Sequence, residues 1–161
     1  MKTNHSHSPA KGFTLIELLV VITIIVILAA LSVTGFNYVT QKQAISQAEI
    51  QIKLLENALE DYKLDNGTYP PAGTSNSLYT VLYYDGASKT PPGKIYIPQL
   101  DPDNNKQGWT NGKGAAVKIN DPWGAEYIYR LGSDPQAKNP DFDIISVGKD
   151  GIEGTADDIR N

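Results

Sequence analysis

The apolar run Phe13 to Phe36 (FTLIELLVVITIIVILAALSVTGF) constrains this chain more than any other stretch, because its 24 residues carry a single charge, Glu17. As a helix rising about 1.5 Å per residue it spans roughly 36 Å, against a hydrocarbon core of about 30 Å. The run predicts a membrane-length helix. Ahead of it, Met1 to Gly12 holds Lys2 and Lys11, no acid and no apolar middle, unlike an ordinary secretory signal. The lysines favour a cytoplasmic start. Two readings follow: a basic leader cut between Gly12 and Phe13, or an uncut anchor that holds a soluble domain outside.

Glu17 helps to choose between them. An ionised carboxylate in hydrocarbon costs a few kcal/mol and persists where a partner offsets it. A freed amine on Phe13, four residues earlier and one helical turn below, would be such a partner, from the same chain or a neighbouring copy. Cleavage would make its own counter-ion.

The same residues carry a resemblance. KGFTLIELLVV, Lys11 to Val21, resembles the leader of type IV pilins and pseudopilins, with Gly12, Phe13 and Glu17 where that superfamily has them. The resemblance implies a prepilin peptidase that cuts after Gly12 and N-methylates Phe13, and a role for Glu17 in filament assembly. One departure is Thr34, where many relatives carry a helix-breaking proline; Gly35 beside it is a weak helix point.

With 161 residues, the chain has room for one small domain beyond the apolar run. The organisation expected is a leader over residues 1–12, a membrane or filament-core helix over 13–36 and a head over 37–161. The net charge is −4, and loss of the leader's two lysines takes it to about −6, which argues against a nucleic-acid partner. There is no cysteine to staple the head.

Past Phe36 the helical pattern continues and turns amphipathic. Ile45, Ala48, Ile52, Leu55, Leu59 and Tyr62 recur at steps of three and four, with Lys42, Glu49, Lys53, Glu56, Glu60 and Lys63 elsewhere around the helix. The repeat lasts under three heptads, which favours packing on its own head over a coiled-coil partner. Gly67, Pro70 and Pro71 predict a stop at Asp65-Asn66-Gly67.

Tyr69 to Gly114 is rich in Pro, Gly, Asn, Ser and Tyr. Ser77 to Tyr84 fits a short helix or a strand, and Lys94 to Pro98 an extended segment. Tyr79, Tyr83, Tyr84, Tyr96 and Trp109 fit either a ligand-stacking surface, as for sugars, or a cover over helix and sheet edges. The second is preferred, since tyrosine packs its ring and leaves its hydroxyl wet. Ala115 to Ile119, Glu126 to Leu131 and Phe142 to Val147 predict three antiparallel strands, the first two flanking the turn Asn120 to Gly124. Such a sheet must bury one face on the amphipathic half of the helix.

The tail, Val147 to Asn161 (VGKDGIEGTADDIRN), has too little apolar surface to fold by burial, and its carboxylates repel one another unless something positive sits among them. It reads either as a solvated acidic tail or as a calcium loop, with oxygen ligands from carboxylates and carbonyls and glycines to bend the chain. No EF-hand pattern is present. NDPWGAEYIYRL followed by DFDIISVGKDGIEGTADDI is similar to the C-terminal half of the major pseudopilins of type II secretion systems. That similarity implies a calcium site made by Asp150, Asp157, Asp158 and the carbonyl of Val147. Tyr69 to Gly114 departs from the pattern, being longer and richer in proline.

Catalysis is not expected. Both histidines, His5 and His7, lie in the leader, and no phosphate loop or serine elbow appears. The resemblance implies an α+β, pilin-like fold and a single-pass inner-membrane subunit with a periplasmic head. It also implies polymerisation with copies of itself and with minor pseudopilins on an inner-membrane platform, into a pseudopilus that drives protein export. The alternative is a pilin-like filament subunit for adhesion or DNA uptake.

Overall fold

The computed structural model describes residues 12–161, apart from the side chains of residues 31–37. The leader up to Lys11 and the side chain of Thr34 lie outside the described residues. The chain divides into two compact units, residues 1–41 and 42–161. Helix α1 (Leu15–Asn66) supplies residues to both.

In the first unit, α1 shows apolar side chains on every side over residues 18–22. Leu18, Leu19, Val20, Val21 and Ile22 are consecutive and all exposed, which at about 3.6 residues per turn leaves no polar face. Among the described residues, no helix is long and apolar enough to cross a membrane.

The second unit holds the core. From α1 it takes Ala48, Ile52, Leu55 and Leu59, four of the six predicted stripe positions, while Ile45 and Tyr62 are half-buried. The helix ends where the sequence predicts. Gly67 adopts φ +79° and donates its N–H to the Lys63 carbonyl at 2.7 Å, a left-handed cap that a β-carbon would oppose.

The segment Ser77 to Tyr84 resolves to helix: α2 (Ser75–Tyr79), a π-helical turn (Thr80–Tyr84) and α3 (Asp85–Ala87) run on from one another. Tyr79 and Trp109 are buried, and Tyr83, Tyr84 and Tyr96 pack half-buried against the core, as the covering role requires.

The fold class stands, but the strands differ from those predicted. One sheet pairs β1 (Thr110–Asn111) with β2 (Lys118–Ile119); the other is β3 (Ile128–Leu131), β4 (Phe142–Ser146) and β5 (Ile159–Arg160), all antiparallel with β4 central. Ala115 does not join a strand, because Gly114 turns at φ +58° and opens a 3₁₀ turn over Gly114–Ala116. Glu126 makes only an isolated bridge to Asn120. The turn before it is held through Ala125 by the Asp121 carboxylate, so regular pairing starts at Ile128.

The third strand comes instead from the tail. Every residue of β4 is buried, and its outer edge is completed by β5 and then by the side chain of Asn161. That amide accepts from the Ile144 N–H at 2.8 Å and donates to the Phe142 carbonyl at 3.0 Å, extending the ladder by one residue's worth of backbone bonds.

Candidate functional site

The first cluster is at the start of α1. Thr14 precedes the first helical residue, and Glu17 Oε2 accepts from both the Thr14 N–H (2.9 Å) and its hydroxyl (2.8 Å). The Glu17 N–H donates back to Thr14 Oγ1 at 3.2 Å. This reciprocal arrangement is a capping box, and the spacing Thr14-x-x-Glu17 is the sequence signal for it. Glu17 therefore has a helix-starting role within one chain, in addition to any partner amine. Phe13 is 85% exposed. At Gly12 an added β-carbon would meet nothing within 4 Å, so folding does not demand glycine there.

The second cluster is the tail. Positive charge does sit among its carboxylates, and it comes from the chain's only two arginines, Arg130 and Arg160. Arg130 grips Glu153 through two parallel hydrogen bonds of 2.5 and 2.7 Å, the geometry that makes arginine–carboxylate pairs strong. Arg160 donates to Asp158 Oδ2 at 3.0 Å and lies 3.7 Å from Asp143 and 3.8 Å from Glu153. Neither reading of the tail, as a solvated acidic segment or as a calcium loop, counts these two arginines as partners. Two arginines confined to the sheet and tail were the available signal.

Within the loop the predicted ligands face different neighbours. Asp157 Oδ2 accepts from the N–H groups of Lys149 (2.8 Å) and Asp150 (3.1 Å), and its Oδ1 from the Thr155 hydroxyl (2.7 Å). These bonds, led by that from Thr155, hold its carboxyl below the usual range. Asp150 Oδ1 caps its own turn by accepting from the Ile152 N–H at 2.8 Å. Asp158 Oδ2 takes the Gly154 N–H at 2.9 Å.

Asp158 Oδ1 is buried with no hydrogen-bond partner, on a side chain only 6% exposed. Val147 is buried beside Gly148, whose φ is +64° and where a β-carbon would lie 2.5 Å from the Asp157 carbonyl oxygen. Glycine is required at that point for the chain to pass Asp157. Among the described residues, no group of three or more His, Cys, Asp or Glu side chains is gathered as a metal site. Asp150 and Asp157 share one loop, while Asp158 turns toward Arg160.

The loop is tied to the DPWG turn from below. Asp121 Oδ1 accepts from the N–H groups of Trp123 (3.0 Å) and Ala125 (2.9 Å), and its Oδ2 from the Ser146 hydroxyl (2.6 Å). Ser146 Oγ in turn accepts from the Gly148 N–H at 3.3 Å.

Residues 37–161 match the family model described as type II secretion system protein G. The chain belongs to the type II secretion system protein G family. Residues 7–33 match the prokaryotic N-terminal methylation motif, a span that contains Gly12, Phe13 and Glu17. Similar proteins include the type II secretion system core protein G of Pseudomonas aeruginosa, 40% identical over 155 residues that cover 94% of each chain. The core protein G of Escherichia coli K12 is 36% identical over 151 residues, covering 94% of this chain and 90% of that one. The crystal structure of the major pseudopilin from the type 2 secretion system of enterohaemorrhagic Escherichia coli aligns with a TM-score of 0.47 and 25% identity, over 76% of this chain and 89% of that one.

As a protein G family member, the chain is a major pseudopilin of type II secretion that carries the N-methylation motif, and so a part of the pseudopilus. The family is one of structural subunits.

Proposed function

We propose that a prepilin peptidase cuts this pseudopilin between Gly12 and Phe13 and methylates the new Phe13 amine. The subunit then waits as a single-pass inner-membrane protein, its head in the periplasm, until an inner-membrane platform extracts it into a filament of its own copies and minor pseudopilins. Growth of that filament drives protein export.

The observation that carries this reading is the exposure of apolar side chains on every side of α1 between Leu18 and Leu28. Surface of that kind is stable only in lipid or against copies of itself. Gly12→Asp is expected to leave the chain uncut. Mass spectrometry of the membrane fraction from cells with the peptidase would show the leader retained, and a normally shortened chain would overturn the reading.

Calcium is the second part of the proposal. Its residues would be Asp150, Asp157, Asp158 and the Val147 carbonyl, and bound calcium would supply positive charge that locks the loop. The buried, unpartnered Asp158 Oδ1 fits a cation, and the lowered Asp157 carboxyl stays ionised near neutral pH. The fragment 42–161, which holds every buried apolar residue among the described ones, is the material for the test. Calcium at about 100 times its dissociation constant should stabilise it by about 2.7 kcal/mol, several degrees in Tm, against a chelator control. Asp150→Ala is expected to lose the rise; equal melting with calcium and chelator in the unaltered fragment would remove the metal from the proposal.

A further inference from the structure

A cleft beside α2 has no part in assembly as described. It measures about 390 Å³, and its lining includes Tyr79, Tyr83, Tyr84, Asp101, Asp103 and Lys113. It lies wholly in the second unit. The π-helical turn builds its aromatic wall. Asp85 donates its N–H to the Thr80 carbonyl five residues back, and Tyr83 and Tyr84 both lie beside Tyr79, with ring centroids 5.5 and 6.2 Å away. In an α-helix only the residues three and four positions on would be neighbours, so Tyr84 would leave this group. Single π turns inside helices recur at functional sites.

Burial pushes the Tyr79 phenol up to about 12 and raises that of Tyr83, so the rings remain neutral and offer the negative faces of their π systems. Asp101 and Asp103 add carboxylates to the lining, and Asp101 accepts a hydrogen bond from the Tyr83 hydroxyl. Asp101 accepts from the Asp103 N–H at 3.0 Å, which fixes the 3₁₀ turn Pro102–Asn104. Among the described residues neither carboxylate is in an ion pair, although Lys113 lines the same cleft. Aromatic faces and unneutralised carboxylates around one cleft attract the same thing, a compact organic cation.

We propose that this cleft is a lysine-recognition site, taking the ammonium group of a lysine side chain presented by a protein partner. The ammonium would sit over the tyrosine faces with its protons toward Asp101 and Asp103. A neutral sugar would gain stacking but not charge, and an anion would be repelled. The inference is independent of leader processing and of calcium.

The test uses the full chain in a non-ionic polyoxyethylene micelle, with ring-labelled tyrosines followed by NMR. N-acetyl-lysine methylamide is expected to shift Tyr83 and Tyr84 with a dissociation constant of about 1–10 mM, while its Nε-acetylated form, which lacks the charge, and glucose leave them in place. The double substitution Asp101→Asn, Asp103→Asn keeps the turn's hydrogen-bond acceptor and should weaken binding at least fivefold, about 1 kcal/mol. Tyr84→Leu should also weaken it. Absence of shifts with the lysine probe, equal shifts with the acetylated probe or glucose, or unchanged affinity in the asparagine variant would overturn the proposal.

Discussion

Glu17→Ala is expected to insert in the membrane as the unaltered chain does and to form almost no filament. Two roles for this carboxylate must be weighed. The first is visible in the single chain: it closes a capping box with Thr14, and loss of such a cap costs about 1 kcal/mol. The second is the proposed one, pairing with the Phe13 amine of a neighbouring copy inside an apolar fibre. Removing one partner of a pair buried that way costs about 3–5 kcal/mol, because the other charge is left stranded. At about 1.4 kcal/mol per factor of ten, capping alone would lower yield several-fold and pairing by a hundredfold or more.

Two further variants separate the roles. Glu17→Gln keeps a side chain able to accept from the Thr14 N–H but carries no charge. Thr14→Ala removes the hydroxyl partner and keeps the charge. Pairing predicts that glutamine fails to assemble nearly as badly as alanine and that Thr14→Ala assembles. Abundant filament from Glu17→Gln, counted by electron microscopy of shear-released material, would leave only the cap.

That cap shows what the sequence made legible and what it hid. A charge in an apolar run marks Glu17, and the Thr14-x-x-Glu17 spacing beside it is the local signal of the cap. The end of α1 at Asn66 was readable because Gly67 and the prolines after it act locally on the backbone. The stripe from Ala48 to Leu59 was readable because a helix repeats its buried face.

The strands were harder, since β2 and β5 are two residues long and their pairing depends on distant partners. β5 was missed for a further reason. Its pairing rests on Asn161 completing a ladder and on arginines neutralising acids, neither of which leaves a periodic pattern. The π turn is likewise silent in sequence, so the segment from Ser77 to Tyr84 stayed open between helix and strand. The tyrosines there do cover the core, yet three of them also border a cleft.

Asp121→Ala is the substitution expected to cost the head most. Asp121 is 3% exposed and accepts three hydrogen bonds, two from its own turn and one from the Ser146 hydroxyl, which is wholly buried. Alanine removes the acceptors and leaves the donors behind. Stranding a buried donor costs about 1–3 kcal/mol; the turn amides lie nearer solvent and recover part of theirs from water, so the sum should be about 3–5 kcal/mol. For a head of this size that lowers Tm by roughly 10–20 °C.

Asp121→Asn retains an oxygen for the two amides and an N–H group that can donate to Ser146, so it should lose about 1 kcal/mol. The consequence reaches the tail. Ser146 holds the Gly148 N–H, and Gly148 is where the chain passes closest to Asp157. Once Asp121 is gone, Ser146 is free to rotate and the start of the acidic loop loosens. Asp121→Ala should therefore also blunt any calcium-dependent rise in Tm of fragment 42–161, although no predicted ligand has been touched. A variant that melts within about 2 °C of the unaltered fragment, or that keeps a full calcium response, would show that the turn and the loop are not coupled through Ser146.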